Sequence, residues 1–453
     1  MKKRITVVLL AALTLSSVSC GGKTPDVTDE TTPADTTTEP ETTRFGTLDP
    51  NLNFGGEVIR ILCRDNESNA AYHNEFGVTT ITGDVVDDAI YQRNLDVEAL
   101  LNIEIQTTTM NGAWDNKDAF MTMIRNGVMS DDDGYDLVTG YQAYITTLAV
   151  EGYFSDLSGM KHVDLTNPWW NQTFLEQNLI GNKCFFLAGD IGLSYTTSTN
   201  VIYFNKRLAE DLGIKDLYDT VRDGKWTREK IYEYSELAAD DLNGDTVMDD
   251  ENDRWGYACT GAFEPFIALG GEFTKLVNGR PTIDLPNEHT SDVISWTVGF
   301  LNDSKGAKLF SGGYENAMNV FRSGRALFYC SYIGRADELR EVDFDYGIIP
   351  YYKWDEAQEN YISMTHNGMS LFCVPKGARN EEALGAAMEA LAMEGYRSVV
   401  PAYYDIALQG KYTRDEDSNE MLDLIKSTIT IPFWYVWSND IGGIAGTSST
   451  LVR

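Results

Sequence analysis

Beyond residue 54 the chain alternates short β-branched runs with amphipathic helical patterns, and this alternation constrains the fold more than any single motif. Residues 57–63 (EVIRILC) read as a strand. Residues 84–101 repeat apolar side chains at Val86, Ile90, Val97 and Leu101, the spacing of one helix face. Residues 103–107 predict a second strand, 120–128 a second helix, and 135–140 a third strand that ends where Tyr141 begins another helical stretch. Strands alternating with helices imply parallel βαβ units. Ligands of such sheets sit beyond the carboxyl ends of strands, so the loops after Cys63 and Thr139 form the candidate binding edge.

A second alternating region opens with the strand 200–204. It continues through a helix from Lys206 stopped by Gly213 and a helix from Thr227, a predicted N-cap, to Ala239. Further strands are expected at 325–329, 345–349 and 370–374, with a helix at 380–396. About 400 residues exceed the size at which a single core stops growing, which predicts two α/β domains.

The N-terminus obeys different rules. Lys2-Lys3-Arg4 precede an apolar run from Ile5 to Leu15, then small residues up to Cys20, the layout of a signal peptide cut at a lipid-bearing cysteine. The position three before Cys20, commonly Leu in a lipobox, is Ser17, and ordinary cleavage or an uncleaved anchor stays open. The apolar run is far short of the roughly 20 residues of a membrane span. Two acyl chains on Cys20 would hold the protein to a membrane. From Thr24 to Thr43 nearly every residue is Thr, Pro, Asp or Glu, a composition that buries no core and is expected to form an extended stalk.

Charge narrows the partners. The chain has 69 Asp and Glu against 36 Lys and Arg, a net charge of −33, which repels phosphate backbones and argues against nucleic acid. Cys63, Cys184, Cys259, Cys330 and Cys373 are scattered through apolar runs and odd in number, so they read as buried thiols. No CxxC or Cys/His cluster points to zinc.

Four stretches share their order with a known family. They are Asp87-Asp88-Ala89-Ile90-Tyr91-Gln92-Arg93-Asn94; Tyr203-Phe204-Asn205-Lys206 leading through Leu212-Gly213 to Gly224-Lys225-Trp226-Thr227; Tyr346-Gly347-Ile348-Ile349-Pro350 with Asp355-Glu356-Ala357-Gln358; and Pro401-Ala402-Tyr403-Tyr404-Asp405-Ile406-Ala407-Leu408. Together they resemble the extracellular solute-binding lipoproteins of carbohydrate-type ABC importers in Gram-positive, Clostridia-like bacteria. The resemblance implies a two-lobed α/β fold of the periplasmic-binding-protein type, hinged by two or three crossing segments that close on a ligand. It implies a carbohydrate ligand and ABC permease partners, no required cofactor, no enzymatic activity, and a monomer anchored outside the cell membrane. By position, the crossings fall near 194–201, 328–331 and 368–372. The expected organisation is signal peptide 1–20, stalk 21–53, first lobe 54–195 plus 331–367, and second lobe 196–330 plus 368–453. Such chains usually run further past the equivalent of Val436, so the last helices of the second lobe are expected to be shortened.

Sugars are recognised by flat aromatic faces flanked by planar polar groups. Nine tryptophans and 24 tyrosines supply many faces. The candidates are Tyr141 after the third strand, Trp169 and Trp170, Asp190 and Tyr195 beside the first crossing, Trp255, Tyr332 beside the second crossing, and the run Trp434-Tyr435-Val436-Trp437; Tyr141 and Trp169 are expected to oppose Trp255 across the gap. Asn66 and Glu67, directly after the first strand, are expected to bind hydroxyls. Any one of these aromatics is also an ordinary core residue. Asp241, Asn243, Asp245 and Asp249, with Asp253, space oxygen ligands like the start of a calcium loop, although Thr246 replaces the usual Gly at position 6 and Asn252 stands at position 12. A solvated acidic loop built on Asx turns is the alternative.

An enzyme, such as a secreted glycosidase, is the rival class. Paired carboxylates are uninformative in so acidic a chain, since chance supplies them. There is no HExxH, no GxSxG and no phosphate-binding glycine loop, and His73, His162, His289 and His366 stand alone in the sequence. A surface glycan-binding lipoprotein without a transporter shares every N-terminal feature.

Overall fold

A computed structural model describes residues 46–65, 75–130, 134–311, 313–404 and 416–446; Cys20, the stalk, Asn66 and Glu67 lie outside the described residues. Strand β1 (Glu57–Asp65) runs parallel to β2 (Ile103–Asn111) in unbroken register from Glu57 opposite Ile103 to Asp65 opposite Asn111. The crossover between them is the helix Val85–Leu101. Asp84 caps its start by accepting the amides of Val86 and Asp87 at 2.9 and 3.0 Å. Asn102 ends it in the left-handed region at φ 50°. Val86, Ile90, Val97 and Leu101, the apolar positions of its pattern, are buried, each worth roughly 1.5–3 kcal/mol relative to exposure.

On the other side of β1 lies β3 (Leu137–Tyr141), also parallel, with Ile61 opposite Leu137. Gly140 within it admits no Cβ, which would collide with the side chain of Ile145 in the helix Gln142–Val150. The second sheet starts with β4 (Asn200–Asn205) and takes in β5 (Trp255–Cys259). A hairpin, β6 (Thr274–Val277) with β7 (Arg280–Ile283), stands apart as a two-stranded sheet. Strands β8 (Ala307–Leu309), β9 (Ala326–Tyr332) and β10 (Tyr346–Ile349) complete the second sheet in the order β10-β4-β9-β5-β8. Short β11 (Ser363–Met364) follows, and β12 (Ser370–Cys373) closes the first sheet, whose order is β12-β3-β1-β2. A two-residue strand β13 (Ile429–Thr430) pairs with β11. The architecture is the two-lobed, periplasmic-binding-protein-like α/β fold.

Two expectations about chain routing need correction. Residues 328–331 are not a crossing: β9 is buried along its whole length and bonded to β4 on one side and β5 on the other, so it stays in the second sheet. The segment 331–367 therefore does not belong to the first lobe, because β10 pairs antiparallel with β4, Tyr346 opposite Asn205. Conversely, residues after 368 first return to the first lobe: β12 pairs antiparallel with β3, and the helix Glu381–Glu394 buries Leu384, Ala387 and Leu391 in the apolar cluster that holds Ile59 and Ile61. The helix Glu416–Ser427 then packs Leu422 and Ile425 in a cluster with Tyr346 and Ile348 of the second sheet.

The last described residues cross once more. Gln142 Nε2 donates to Val436 O at 2.9 Å and Thr147 Oγ1 to Asp440 at 3.0 Å, which ties this end to the first lobe. Thr227 holds the N-cap position of Arg228–Ala238 without a side-chain cap bond. Cys63, Cys184, Cys259, Cys330 and Cys373 are buried free thiols. No helix among the described residues is long and apolar enough to cross a membrane.

Candidate ligand-binding cleft

The crossings bring the carboxyl ends of strands from both sheets to one place. Ile333 N donates to Thr199 O at 2.8 Å and His366 N to Ser198 O at 2.8 Å, so the ends of β9 and β11 are sewn to the start of β4. The segment 366–368 is the floor on which side chains of both lobes converge.

From the first lobe come Arg64, near the end of β1, and Tyr141, at the end of β3. The Arg64 amide donates to Thr139 Oγ1 at 2.8 Å, and its guanidinium reaches Gly368 O at 2.6 Å while lying 4.8 Å from the Tyr141 ring centroid. Tyr141 OH contacts Asn367 Oδ1 at 3.4 Å, and the Asn367 amide donates to Tyr435 OH at 3.0 Å. Burial raises the Tyr141 phenol above its ordinary value and the Arg64 charge partly offsets that rise.

From the second lobe come Tyr314, Tyr332 and Arg335. Tyr332, at the end of β9, stacks on His366 with centroids 5.9 Å apart and planes at 28°. Tyr314 stands edge-on to both, 5.5 Å from Tyr332 and 6.2 Å from His366. The Arg335 guanidinium lies 5.4 Å from the Tyr314 ring and 5.1 Å from that of Tyr332, and pairs with Glu338. Gly368 N donates to His366 Nδ1 at 3.0 Å, an arrangement that leaves the ring proton on Nε2. Burial, then the charges of Arg335 and Arg64, holds His366 down at about 4, so it is a neutral donor at pH 7.

The sequence-predicted residues divide. Tyr141 and Tyr332 meet at this floor, and Tyr435 with them. Tyr195 and Asp190 lie deeper, at the first crossing: Tyr195 OH takes a hydrogen bond from Asn171, and buried Asp190 pairs with Lys426 at 3.3 Å, its carboxyl raised by burial. Trp169 and Trp170 are not in the cleft. Both belong to the first-lobe core, where Trp170 Nε1 donates to Glu389 Oε2 at 3.0 Å and the Trp169 ring packs 6.4 Å from Tyr396.

Trp255 does not oppose them either. It sits at the amino end of β5, away from the ligand end of the strand, bonded to Asp249 O at 3.3 Å. There it borders an outer groove of about 920 Å³ running along β8, past Lys308 and Phe310, to Tyr314. Arg64, Tyr314, Arg335 and Asn367 escaped sequence reasoning, and His366 was set aside as isolated. The one available signal was the position of Arg64 directly after Cys63, on the predicted binding edge.

The acidic loop folds on its own backbone. Asp241 accepts the amides of Gly244 and Thr246, each at 2.7 Å, and Asn243 accepts that of Asp245 at 2.9 Å. Thr246 takes a left-handed φ of 71°, the conformation for which calcium loops use Gly at this position. Asp253 turns inward, accepting from Leu242 N at 3.0 Å and Asp249 N at 2.7 Å, while Asp249 also caps Asn252. Among the described residues no three His, Cys, Asp or Glu side chains gather around one point. An ion here would draw on Asp241, Asn243 and Asp245, a donor set of carboxylate and amide oxygens that suits calcium.

Residues 92–391 match the family model described as bacterial extracellular solute-binding protein. The fold is similar to that of an ABC substrate-binding protein from Listeria monocytogenes in complex with cycloalternan, with TM-score 0.54 and 13% identity over 88% of this chain and 94% of that one. It is also similar to a cyclo/maltodextrin-binding protein complexed with maltotetraose, with TM-score 0.57 and 11% identity over 88% and 92% of the two chains. A Mycobacterium tuberculosis protein in complex with glycerophosphocholine gives TM-score 0.55 and 14% identity over 88% and 93%. No curated protein matches the sequence. At these identities the structural likeness speaks to fold alone.

Proposed function

We propose, since the chain belongs to the bacterial extracellular solute-binding proteins, that its cleft captures a sugar or oligosaccharide outside the cell and delivers it to the permease of an ABC importer. The observation that carries this reading is the convergence of Tyr141 from the first lobe with Tyr314 and Tyr332 from the second, around donors on Arg64, Arg335 and His366. Aromatic faces pack on sugar C–H surfaces while planar donors fix hydroxyl oxygens. A ligand that touches both lobes favours the closed form by its differential affinity for it.

Calorimetry with a saccharide panel should give one-to-one binding, with the ligand recovered chemically unchanged and the radius of gyration reduced in solution scattering. Turnover of a glycoside would return the glycosidase reading. Binding without compaction would favour a static glycan-binding surface protein.

Anchoring through a lipidated Cys20 belongs to the same proposal, supported by the leader that precedes it and the stalk that follows. Cys20→Ser should release the protein from membranes into the medium.

The acidic loop carries a structural calcium ion in this reading, supported by the alternating donors Asp241, Asn243 and Asp245 and by the left-handed turn at Thr246. Free calcium at about 100 times its dissociation constant should stabilise the fold by roughly 2.7 kcal/mol, and Asp245→Ala should abolish that gain without changing sugar affinity. Identical melting curves in chelator and in millimolar calcium would leave the loop a solvated turn.

A further inference from the structure

The cleft's cations have partners, and among the described residues one of its carboxylates does not. Arg335 is paired with Glu338, and Arg64 donates to Gly368 O. Glu264, in the loop-to-helix turn that follows β5, is 8% exposed and has no ion pair and no hydrogen bond to another residue among the described ones. Room has been kept for it: a Cβ on Gly261 would stand 2.5 Å from Glu264 Oε2. Phe263 beside it packs 6.0 Å from Tyr435, the residue whose hydroxyl takes the Asn367 amide. Tyr314 and Tyr435, which face the site, lie within electrostatic reach of Glu264.

A carboxylate largely withdrawn from water without a counter-ion is costly, and a buried charge in a native structure is ordinarily paired. Among the described residues no protein group supplies the partner. We infer that the ligand supplies it: Glu264 receives a protonated amine, and the cleft is built for an amino sugar or an oligosaccharide that contains one. The inference rests on the saccharide reading above. The surrounding rings fit it, because tyrosine faces attract an ammonium as well as sugar C–H bonds. The ligand is thereby oriented, its ammonium toward Glu264 with Tyr314 and Tyr435, its hydroxyl oxygens toward the donors of His366, Arg64 and Arg335.

The experiment uses matched probes on the wild-type chain: glucosamine against glucose, galactosamine against galactose, their β-1,4-linked tetramers, and the N-acetylated forms, which keep the scaffold and lose the charge. Calorimetry at pH 7 should show the free-amine form binding about tenfold tighter or more than both its neutral and its acetylated counterparts, the range of a charge-assisted hydrogen bond. Glu264→Gln should bring the three forms level. Equal or tighter binding of neutral forms by the wild-type chain would overturn the inference and leave the saccharide reading standing, as would an amine preference that survives Glu264→Gln. Failure of every saccharide in the panel to bind would overturn both. Should Glu264→Gln fold poorly, the wild-type comparison of amine with N-acetyl forms still decides.

Discussion

Two buried glutamates show how the same side chain serves opposite ends in this molecule. Glu389, fully buried in the first lobe, is surrounded by donors: Trp170 Nε1 at 3.0 Å, Asn167 Nδ2 at 2.6 Å, Thr47 Oγ1 and the Asp164 amide each at 3.3 Å. Glu264, whose neighbour Phe263 packs on Tyr435, has no donor from another residue among the described ones. A satisfied buried carboxylate fixes one packing arrangement; one without protein donors is left able to take its partner from outside. The aromatic residues divide the same way, with Trp169 and Trp170 locked into the first-lobe core, Tyr141 and Tyr332 at strand ends and Tyr314 edge-on to Tyr332.

The largest effect should come from breaking the satisfied side. Glu389→Ala strands the donors of Trp170 and Asn167, and Trp170→Ala opens a cavity in a core where its ring is 2% exposed. Each should cost about 3–5 kcal/mol of unfolding free energy, measured by urea denaturation. Saccharide affinity of the folded fraction should stay unchanged. A loss of affinity without a loss of stability would put these residues back in the cleft and dissolve the contrast.

Next in size is the cleft itself. Tyr332→Ala removes a ring that stacks on His366 and carries the Arg335 guanidinium, and it should weaken ligand binding by about 1–3 kcal/mol by calorimetry. Because Tyr332 is 6% exposed, some stability goes with it, so the informative pairing is with Tyr141→Phe. That variant keeps the ring and loses only the 3.4 Å contact to Asn367, and it should bind within a few-fold of wild type. If Tyr332→Ala binds normally while Trp255→Ala does not, the ligand lies in the outer groove along β8 and not at the hinge.

This contrast marks where sequence reading works. The unit β1, helix Val85–Leu101, β2 was legible because its periodicity is local and its caps, Asp84 and Asn102, sit beside it. Strand β5 was missed, as its run WGYAC is buried on both faces and does not alternate, and β8 is only three residues long. Assigning β10 and β12 to sheets needs register with strands 140 or more positions away, which no local pattern encodes. Trp169 and Trp170 had the residue type of a sugar platform, yet Trp170 is fixed by Glu389, 219 positions beyond it, and Trp169 packs on Tyr396. Arg64 reaches Gly368 across 304 positions, so the floor of the cleft exists only once the lobes are folded.

The smallest effect is the one most specific to that floor, and it is a pH dependence. His366 is faced by Tyr332 and Tyr314, by the guanidinium groups of Arg335 and Arg64, and by the Gly368 amide on Nδ1. Protonation would place a third positive charge among these and take the acceptor from Gly368 N–H. Its folded-state value of about 4 lies below the ordinary 6.5, so the folded protein binds fewer protons than the unfolded chain between those limits. The contribution of His366 is therefore fully present above pH 6.5, falls as the pH drops toward 4, and is flat beyond either end. Urea midpoints at half-unit steps should decline across that window in the wild type and decline less in His366→Asn, which cannot titrate. Since many carboxylates also begin to protonate near the lower limit, the comparison that counts is the difference between the two proteins at pH 5 to 6, where carboxylates of ordinary pKa are still ionised and the raised ones are common to both proteins. Parallel curves there would mean that His366 is free to protonate in the folded state, and that the two arginines do not converge on it from the two lobes.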